Sequence, residues 1–542
     1  MGKDERTESG NLDSAWKGSV AIVMTSVISD LYSNTRSDTQ SEDTYYRKNR
    51  IRSFLWRTII TCYAAILFLL NFIRIFDNNF WGDEAFSIRL AQMKIVDAVQ
   101  ATANDVHPPL YYIFLIAACR MLGGHDWVYH AVSLLPYLFS LVFFLTIVYK
   151  EFGKTTSALL VTFSSILSNA IVYNVEVRMY SWAALFVMLS FYSLHMVIRD
   201  GKQFSYFCFI LSSLAAAYTH YYALFAVAFF YLVMLFLAAR TQLKWKNVFF
   251  TYLFTLVGYL PWLMALIITF ERTSESFWVK GRPGIKSCFL YFFSSPSELY
   301  SAVMIGLTFV TIVISILFHS EVIQIEYNSG KYHVHIKKSK LIISDVEQWL
   351  LCGLGAAVWV IAVGELISIF VQPSFLTRYL YPITPVVWIV FSVSISRLET
   401  KIRDAYALGI LILTLAVCLP GYAKTYLSDK EENEVCAATA EYASTEIGQD
   451  DDILTNDPHL AWTILDYYFP GIDHTYVADL DEDLKKCSSD TTYWLMWSSD
   501  IDSSEMKLIS TNGYAAEEKY HAGILGTRKI HLYKLTRLSP DQ

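Results

Sequence analysis

Apolar runs long enough to cross a bilayer recur from residue 54 to residue 421, and they confine this chain to one fold class. A helix of roughly 20 apolar residues spans the ~30 Å hydrocarbon layer. Only 17% of the residues are charged, fewer than a soluble domain carries, while 54% are apolar and 16% aromatic. The expectation is a polytopic α-helical membrane protein.

Eleven runs qualify as spans: 54–76, 130–149, 155–173, 180–198, 204–219, 222–238, 247–268, 301–318, 347–371, 379–396 and 404–421. A twelfth run, Leu110–Leu122, is too short and is expected to lie along the membrane as a juxtamembrane helix. Charge decides this. Arg47, Lys48, Arg50, Arg52 and Arg57 precede the first span, so the positive-inside rule puts the N-terminus in the cytoplasm. If 110–122 does not cross, the basic loops all fall inside. They hold Lys150 and Lys154, Arg199 and Lys202, Arg240, Lys244 and Lys246, Lys331, Lys337, Lys338 and Lys340, and Arg397, Lys401 and Arg403. If it crosses, all of them move outside.

The expected organisation has three parts. Residues 1–53 form a cytoplasmic, partly disordered segment; its apolar piece 19–28 is too short to span and lacks a cleavage site. Residues 54–421 form the membrane module, with 77–129 as its first outer loop. Residues 425–542 are acidic and soluble in character. Strands are expected at 453–455, 493–497 and 529–535 and a helix at 460–468, giving a small extracytoplasmic α/β domain. The eight cysteines include no CxxC metal pattern; Cys436 and Cys487 share the polar tail and could pair in an oxidising compartment. The net charge of −7 is segregated by side and identifies no partner, and no nucleic acid is expected.

The same parity gathers the unusual polar residues on the outer face. The first loop begins Phe80-Trp81-Gly82-Asp83-Glu84-Ala85-Phe86 and continues to Asp105-Val106-His107-Pro108-Pro109. A carboxylate at this boundary can take a proton from an incoming hydroxyl. Equally, Asp83 and Glu84 suit the N-terminus of a helix over 85–92. His107 could bind phosphate, join Glu84 on a divalent metal, or cap the next helix; the spacing is not diagnostic. Arg178 and Arg378 stand at outer span ends, each near a tyrosine, Tyr180 and Tyr379. Arginine grips phosphate with two parallel bonds, although snorkelling to the interface explains the placement as well. His220, Tyr221 and Tyr222 could wall a sugar site or belong to the interfacial aromatic belt.

Taken in order, Trp81-Gly82-Asp83-Glu84-Ala85, His107-Pro108-Pro109-Leu110-Tyr111-Tyr112, Arg178-Met179-Tyr180 and Arg378-Tyr379 with Pro382 carry a resemblance. The chain resembles the membrane glycosyltransferases of the GT-C fold, in the branch of protein O-mannosyltransferases and bacterial aminoarabinose transferases. The resemblance covers about residues 54–420 and is most specific over 80–180. It implies a sugar donor on a polyprenyl phosphate and an acceptor hydroxyl, on lipid, glycan or protein, at the outer face. It also implies Asp83 as general base, and Arg178 with Arg378 on the donor phosphate. Metal use varies across the fold, which leaves Glu84 and His107 as candidate ligands and no cofactor assigned. The alternative from another class is a lipid-linked sugar flippase. A transporter places its ionisable residues near the bilayer midplane, where this sequence has chiefly Glu365.

Overall fold

The computed structural model describes residues 42–77, 79–240, 242–275, 279, 281–319, 323–328, 331–336, 344–448, 451–455, 467, 475–476, 480–487, 491–497, 503–524 and 528–538. The chain divides into two compact units, Met1–Ile59 and Ile60–Gln542. In the first, the described residues belong to helix α1, Glu42–Phe72, with Phe54, Leu55 and Ile59 exposed as a membrane face requires. The apolar piece 19–28 lies outside the described residues.

The second unit holds most of the helices. After α1 come α2 (Gly82–Gln92), α3 (Ile95–Ala103) and α4 (Leu110–Leu122), the short segment expected along the membrane. Then follow α5 (Asp126–Phe143), one π-turn over Phe144–Val148, α6 (Tyr149–Ile166), α7 (Ser168–Tyr173), α8 (Tyr180–Asp200), α9 (Gln203–Ala217), α10 (Tyr221–Ala239) and α11 (Trp245–Glu275). Next are α12 (Ile285–Tyr291), α13 (Glu298–His319), α14 (Asp345–Phe370), a 3₁₀ turn over Thr377–Ile383, α15 (Thr384–Ser396) and α16 (Thr400–Glu446). Among the described residues nine helical segments are long and apolar enough to cross a membrane. The chain is a polytopic α-helical membrane protein.

Nine segments and eleven runs differ for two physical reasons. The apolar segment Asp126–Ile166 holds 41 residues, about 60 Å of straight helix and twice the hydrocarbon thickness. It folds back instead. Gly153 has φ 87° and ψ 178°, and the Ser157 hydroxyl donates to the Phe144 carbonyl at 2.9 Å. α9, for its part, has only 15 residues.

The run 155–173 is also broken, at Leu167, between α6 and α7. Backbone groups freed inside a membrane must find partners. Here the Ser164 carbonyl accepts from the Asn174 side-chain amide at 2.9 Å, and the Ser165 carbonyl from that of Asn71 at 3.2 Å. The buried asparagines are the cost of the break and its remedy.

Gly153 yields a stability prediction. Its backbone conformation is one that only glycine adopts readily, although an added Cβ would meet nothing within 4 Å. Gly153→Ala is expected to destabilise the protein by about 1–3 kcal/mol through backbone strain alone. The control is Gly409→Ala in α16, where the Cβ is equally unhindered and the backbone is ordinary helix. Thermal unfolding in detergent should separate the two; equal midpoints would dismiss the strain.

The membrane part and the tail are joined by one helix. The expected last span ends at residue 421, yet α16 continues to Glu446 and places Ala440 and Ala443 against Tyr493 of the tail. Hydropathy marks only where the apolar segment stops, and a helix that exchanges lipid for a protein partner leaves no break. The tail carries a five-stranded sheet of β3 (Asp452–Thr455), β4 (Thr475–Tyr476), β5 (Thr491–Trp497), β6 (Tyr514–Ile524) and β7 (Arg528–Arg537), in the order β4-β3-β5-β7-β6. β3 runs parallel to β4 and β5; β7 is antiparallel to β5 and β6. Helices α17 (Leu480–Lys486) and α18 (Ser503–Thr511) complete it. The three expected strands are β3, β5 and β7. The expected helix at 460–468 falls outside the described residues except at Tyr467, and the side chain of Cys436 is likewise outside them. An antiparallel pair, β1 (Ile323–Asn328) and β2 (Lys331–Ile336), was not legible in the sequence.

Candidate active site

The site lies where the first loop meets the turns that precede α8, α10 and α15. Its foundation is Glu84. That side chain is 1% exposed, and its carboxylate accepts from the backbone amides of Val177, at 2.8 Å, and Trp81, at 3.4 Å. The second contact is the reach-back typical of a helix N-terminus. Trp81 in turn donates its indole N–H to Glu176 at 3.2 Å. Two adjacent ties therefore pin the start of α2 to the segment before α8. Trp81 also packs on the cluster of Ala440, Ala443 and Tyr493, so the tail domain abuts this wall.

With Glu84 turned toward backbone, its neighbour Asp83 points the other way. The Asp83 carboxylate pairs with the Arg378 guanidinium at 3.1 Å. Arg378 sits on the 3₁₀ turn, with the rings of Trp81 and Tyr379 5.9 and 5.8 Å from its guanidinium carbon. Arg178, by contrast, is 3% exposed and turns both terminal nitrogens to protein partners. It bonds the Asp83 carbonyl at 3.0 Å, the Ser87 hydroxyl at 3.3 Å and His107 Nε2 at 3.2 Å. The two arginines thus hold opposite ends of one aspartate, Arg178 the main chain and Arg378 the carboxylate.

The donor Arg178 fixes the tautomer of His107. Nε2 must accept, so Nδ1 carries the proton and donates it to Asp105 at 2.9 Å. Thr269 then donates to the Asp105 carbonyl at 3.1 Å, joining α11 to the chain of bonds. Burial first, and the Arg178 charge second, hold the His107 pKa below its ordinary 6.5. For Asp105 burial pushes upward, but the bond from His107 and its charge outweigh that and lower the pKa.

Both groups titrate lower when folded, so the unfolded chain binds more protons. Their stabilisation is complete above the unfolded value near 6.5 and is lost as pH falls toward the folded pKa. Between pH 7.5 and 5 the thermal midpoint in detergent should fall, and fall less steeply in His107→Gln. A wild-type profile no steeper than that of His107→Gln would contradict a neutral His107 in the folded protein.

His220 closes the site from the turn before α10. Its Nδ1 accepts from the Tyr222 amide at 3.1 Å, and its ring lies 5.5 Å from those of Tyr180 and Tyr379 and 6.3 Å from that of His107. Burial, reinforced by His107 and both arginines, holds its pKa well below the usual range. Tyr222 stacks on Phe375 at 5.5 Å and meets Tyr379 at 4.9 Å. The backbone of α14 comes so close there that a Cβ on Gly364 would lie 2.7 Å from Phe375. The Tyr180 hydroxyl is buried with no hydrogen-bond partner among the described residues.

Of the residues singled out in the sequence, Asp83, Glu84, His107, Arg178, Tyr180, His220, Tyr222, Arg378 and Tyr379 come together. Tyr221 does not. One step along α10 from Tyr222, it faces Trp262, whose indole donates to its hydroxyl at 3.3 Å. Glu84 and His107 do not form a metal set: among the described residues no group of three or more His, Cys, Asp or Glu could hold an ion. Asp105 and Tyr112 stood within the quoted motifs without a role, and Ser87 and Glu176 were not expected. Asp105 carried a signal, its spacing of two from His107; Glu176 and Ser87 carried none.

No protein-family model matches the chain, and no curated protein matches it. Solved structures do. ArnT from Cupriavidus metallidurans bound to undecaprenyl phosphate is 13% identical, with a TM-score of 0.50 over 88% of this chain and 98% of that one. The apo state of the same protein is 13% identical, with a TM-score of 0.49 over 89% and 98%. The likeness shows the fold: a GT-C-type membrane module with a small C-terminal sheet domain.

Proposed function

We propose that this chain is an inverting glycosyltransferase that moves a sugar from a polyprenyl-phosphate donor to an acceptor hydroxyl. One observation carries the reading: an Asp83 carboxylate held 3.1 Å from Arg378, with a second guanidinium on the Asp83 main chain. Base and cations are what such a transfer needs at one place. The acceptor oxygen attacks the anomeric carbon, and Asp83 takes its proton. The bond from that carbon to the phosphate oxygen breaks on the opposite face, with oxocarbenium character between. The leaving lipid phosphate becomes a dianion and requires no proton. Arg378 and the Tyr180 hydroxyl, which has no hydrogen-bond partner among the described residues, stand ready for its new charge. Donor phosphate competes with Asp83 for Arg378, so binding the donor frees the base. The aromatic wall of His220, Tyr222 and Tyr379 faces the sugar. That a protein of the same fold binds undecaprenyl phosphate supports this donor class.

The proposal includes an orientation, with the site and tail outside and the N-terminus in the cytoplasm. Reporter fusions in the loop after α10 and beyond α16 should report opposite sides. The function is tested with the purified protein in detergent, a panel of polyprenyl-phosphate sugars and surface lipid, glycan or protein acceptors. Transfer with inverted anomeric configuration is expected. A flippase would give none, because no membrane is present to cross.

A further inference from the structure

The opposite end of the bundle carries a groove of another kind. From Tyr180, at the site, to Arg199 is the length of α8, roughly 28 Å at 1.5 Å per residue. One hydrocarbon thickness therefore separates the two places. The groove runs between the α5–α6 hairpin, α8 and α9 and encloses ≈ 730 Å³, within the ~300–1,000 Å³ of small-molecule sites. Phe143, Ile147, Phe186, Leu189, Phe204 and Leu211 make it apolar along its length.

Its mouth is cationic and built. Glu151 is bonded by Arg199, by the Tyr192 hydroxyl at 2.5 Å and by His195 Nε2 at 2.9 Å. His195 is buried and its ring lies 4.5 Å from that of Trp349, which fixes the carboxylate and so the guanidinium. The Arg199 side chain is still 46% exposed. Lys150 is exposed at the same mouth and makes no ion pair among the described residues. Glu151 offsets one of the two cations and leaves one positive charge over.

We propose that this groove binds one anionic phospholipid, with an acyl chain along the apolar walls and its phosphate between Lys150 and Arg199. In a bilayer an apolar groove of this size fills with lipid chains, and the charge at its mouth selects the headgroup. A headgroup with one net negative charge matches the charge left over, whereas a zwitterionic one brings its own cation toward Lys150 and Arg199. The site is independent of the catalytic reading.

The test uses the full-length protein in nanodiscs of equal phosphatidylglycerol and phosphatidylcholine, released into native mass spectrometry. The wild type should retain one phosphatidylglycerol in preference to phosphatidylcholine. Lys150→Ala should reduce that preference about fivefold, as expected for one basic residue near an anionic headgroup. Lys150 is exposed, so the variant should fold. Ala215→Trp narrows the groove at the end away from the cations and leaves both of them in place, and it should reduce retention. Equal retention of both lipids by the wild type would overturn the proposal. So would retention of phosphatidylglycerol that Ala215→Trp leaves unchanged, since the lipid would then sit elsewhere.

Discussion

Asp83→Asn should lower sugar transfer by at least ~10²-fold, the scale of a lost general base, with donor binding retained. The substitution keeps the shape of the side chain and the main-chain carbonyl that Arg178 holds. It removes the carboxylate charge that pairs with Arg378 and the basicity needed to take the acceptor's proton. Because Arg378 loses its competing anion, donor affinity should stay level or rise. Glu84→Gln is the control: its carboxylate faces the amides of Trp81 and Val177, and the amide oxygen can still accept from one of them. Its penalty should appear in thermal stability before turnover. Rapid transfer by Asp83→Asn would remove Asp83 as the base while leaving the glycosyltransferase reading standing.

Arg378→Ala should weaken binding of a polyprenyl-phosphate donor by roughly 10–150-fold, equivalent to the ~1.5–3 kcal/mol of a charge-assisted hydrogen bond. Arg378→Lys should recover only part of this, because a lysine lacks the planar fork that meets two phosphate oxygens. Arg178→Ala is expected to differ in kind. It strips partners from the Asp83 carbonyl, Ser87 and His107, so folding stability should drop together with activity. Measuring donor affinity beside the thermal midpoint separates the two arginines. Unchanged donor affinity in a well-folded Arg378→Ala would move the phosphate contact elsewhere, with Tyr180 the next residue to examine.

The pairing of residues across the site was only partly legible in the chain. Asp83, His107, Arg178, His220 and Arg378 were identified because an ionisable side chain at a span end is costly and stands out against apolar surroundings. Their contacts with one another were not. Arg178 and Arg378 read alike in sequence, each an outer arginine near a tyrosine, yet one anchors main chain and the other faces a carboxylate. Asp83 and Glu84 are neighbours with the same chemistry, and helical geometry sends them to different sides. Tyr221 and Tyr222 part in the same way, one toward Trp262 and the other toward Phe375.

What the sequence determined by itself was the membrane class, the helical runs, the short helix Leu110–Leu122 and three of the tail strands. Each rests on a local cause: hydrocarbon thickness, hydrogen-bonding need in lipid, or alternation along a strand. Tertiary structure alone decided the break at Leu167, the extension of α16 to Glu446 and the division of labour around Asp83. Each of these depends on a partner distant in the chain. Asn71 lies 94 residues from the Ser165 carbonyl it satisfies, and Glu84 lies 93 residues from the Val177 amide it accepts. No local pattern encodes such partners, because they are set by which helices pack together.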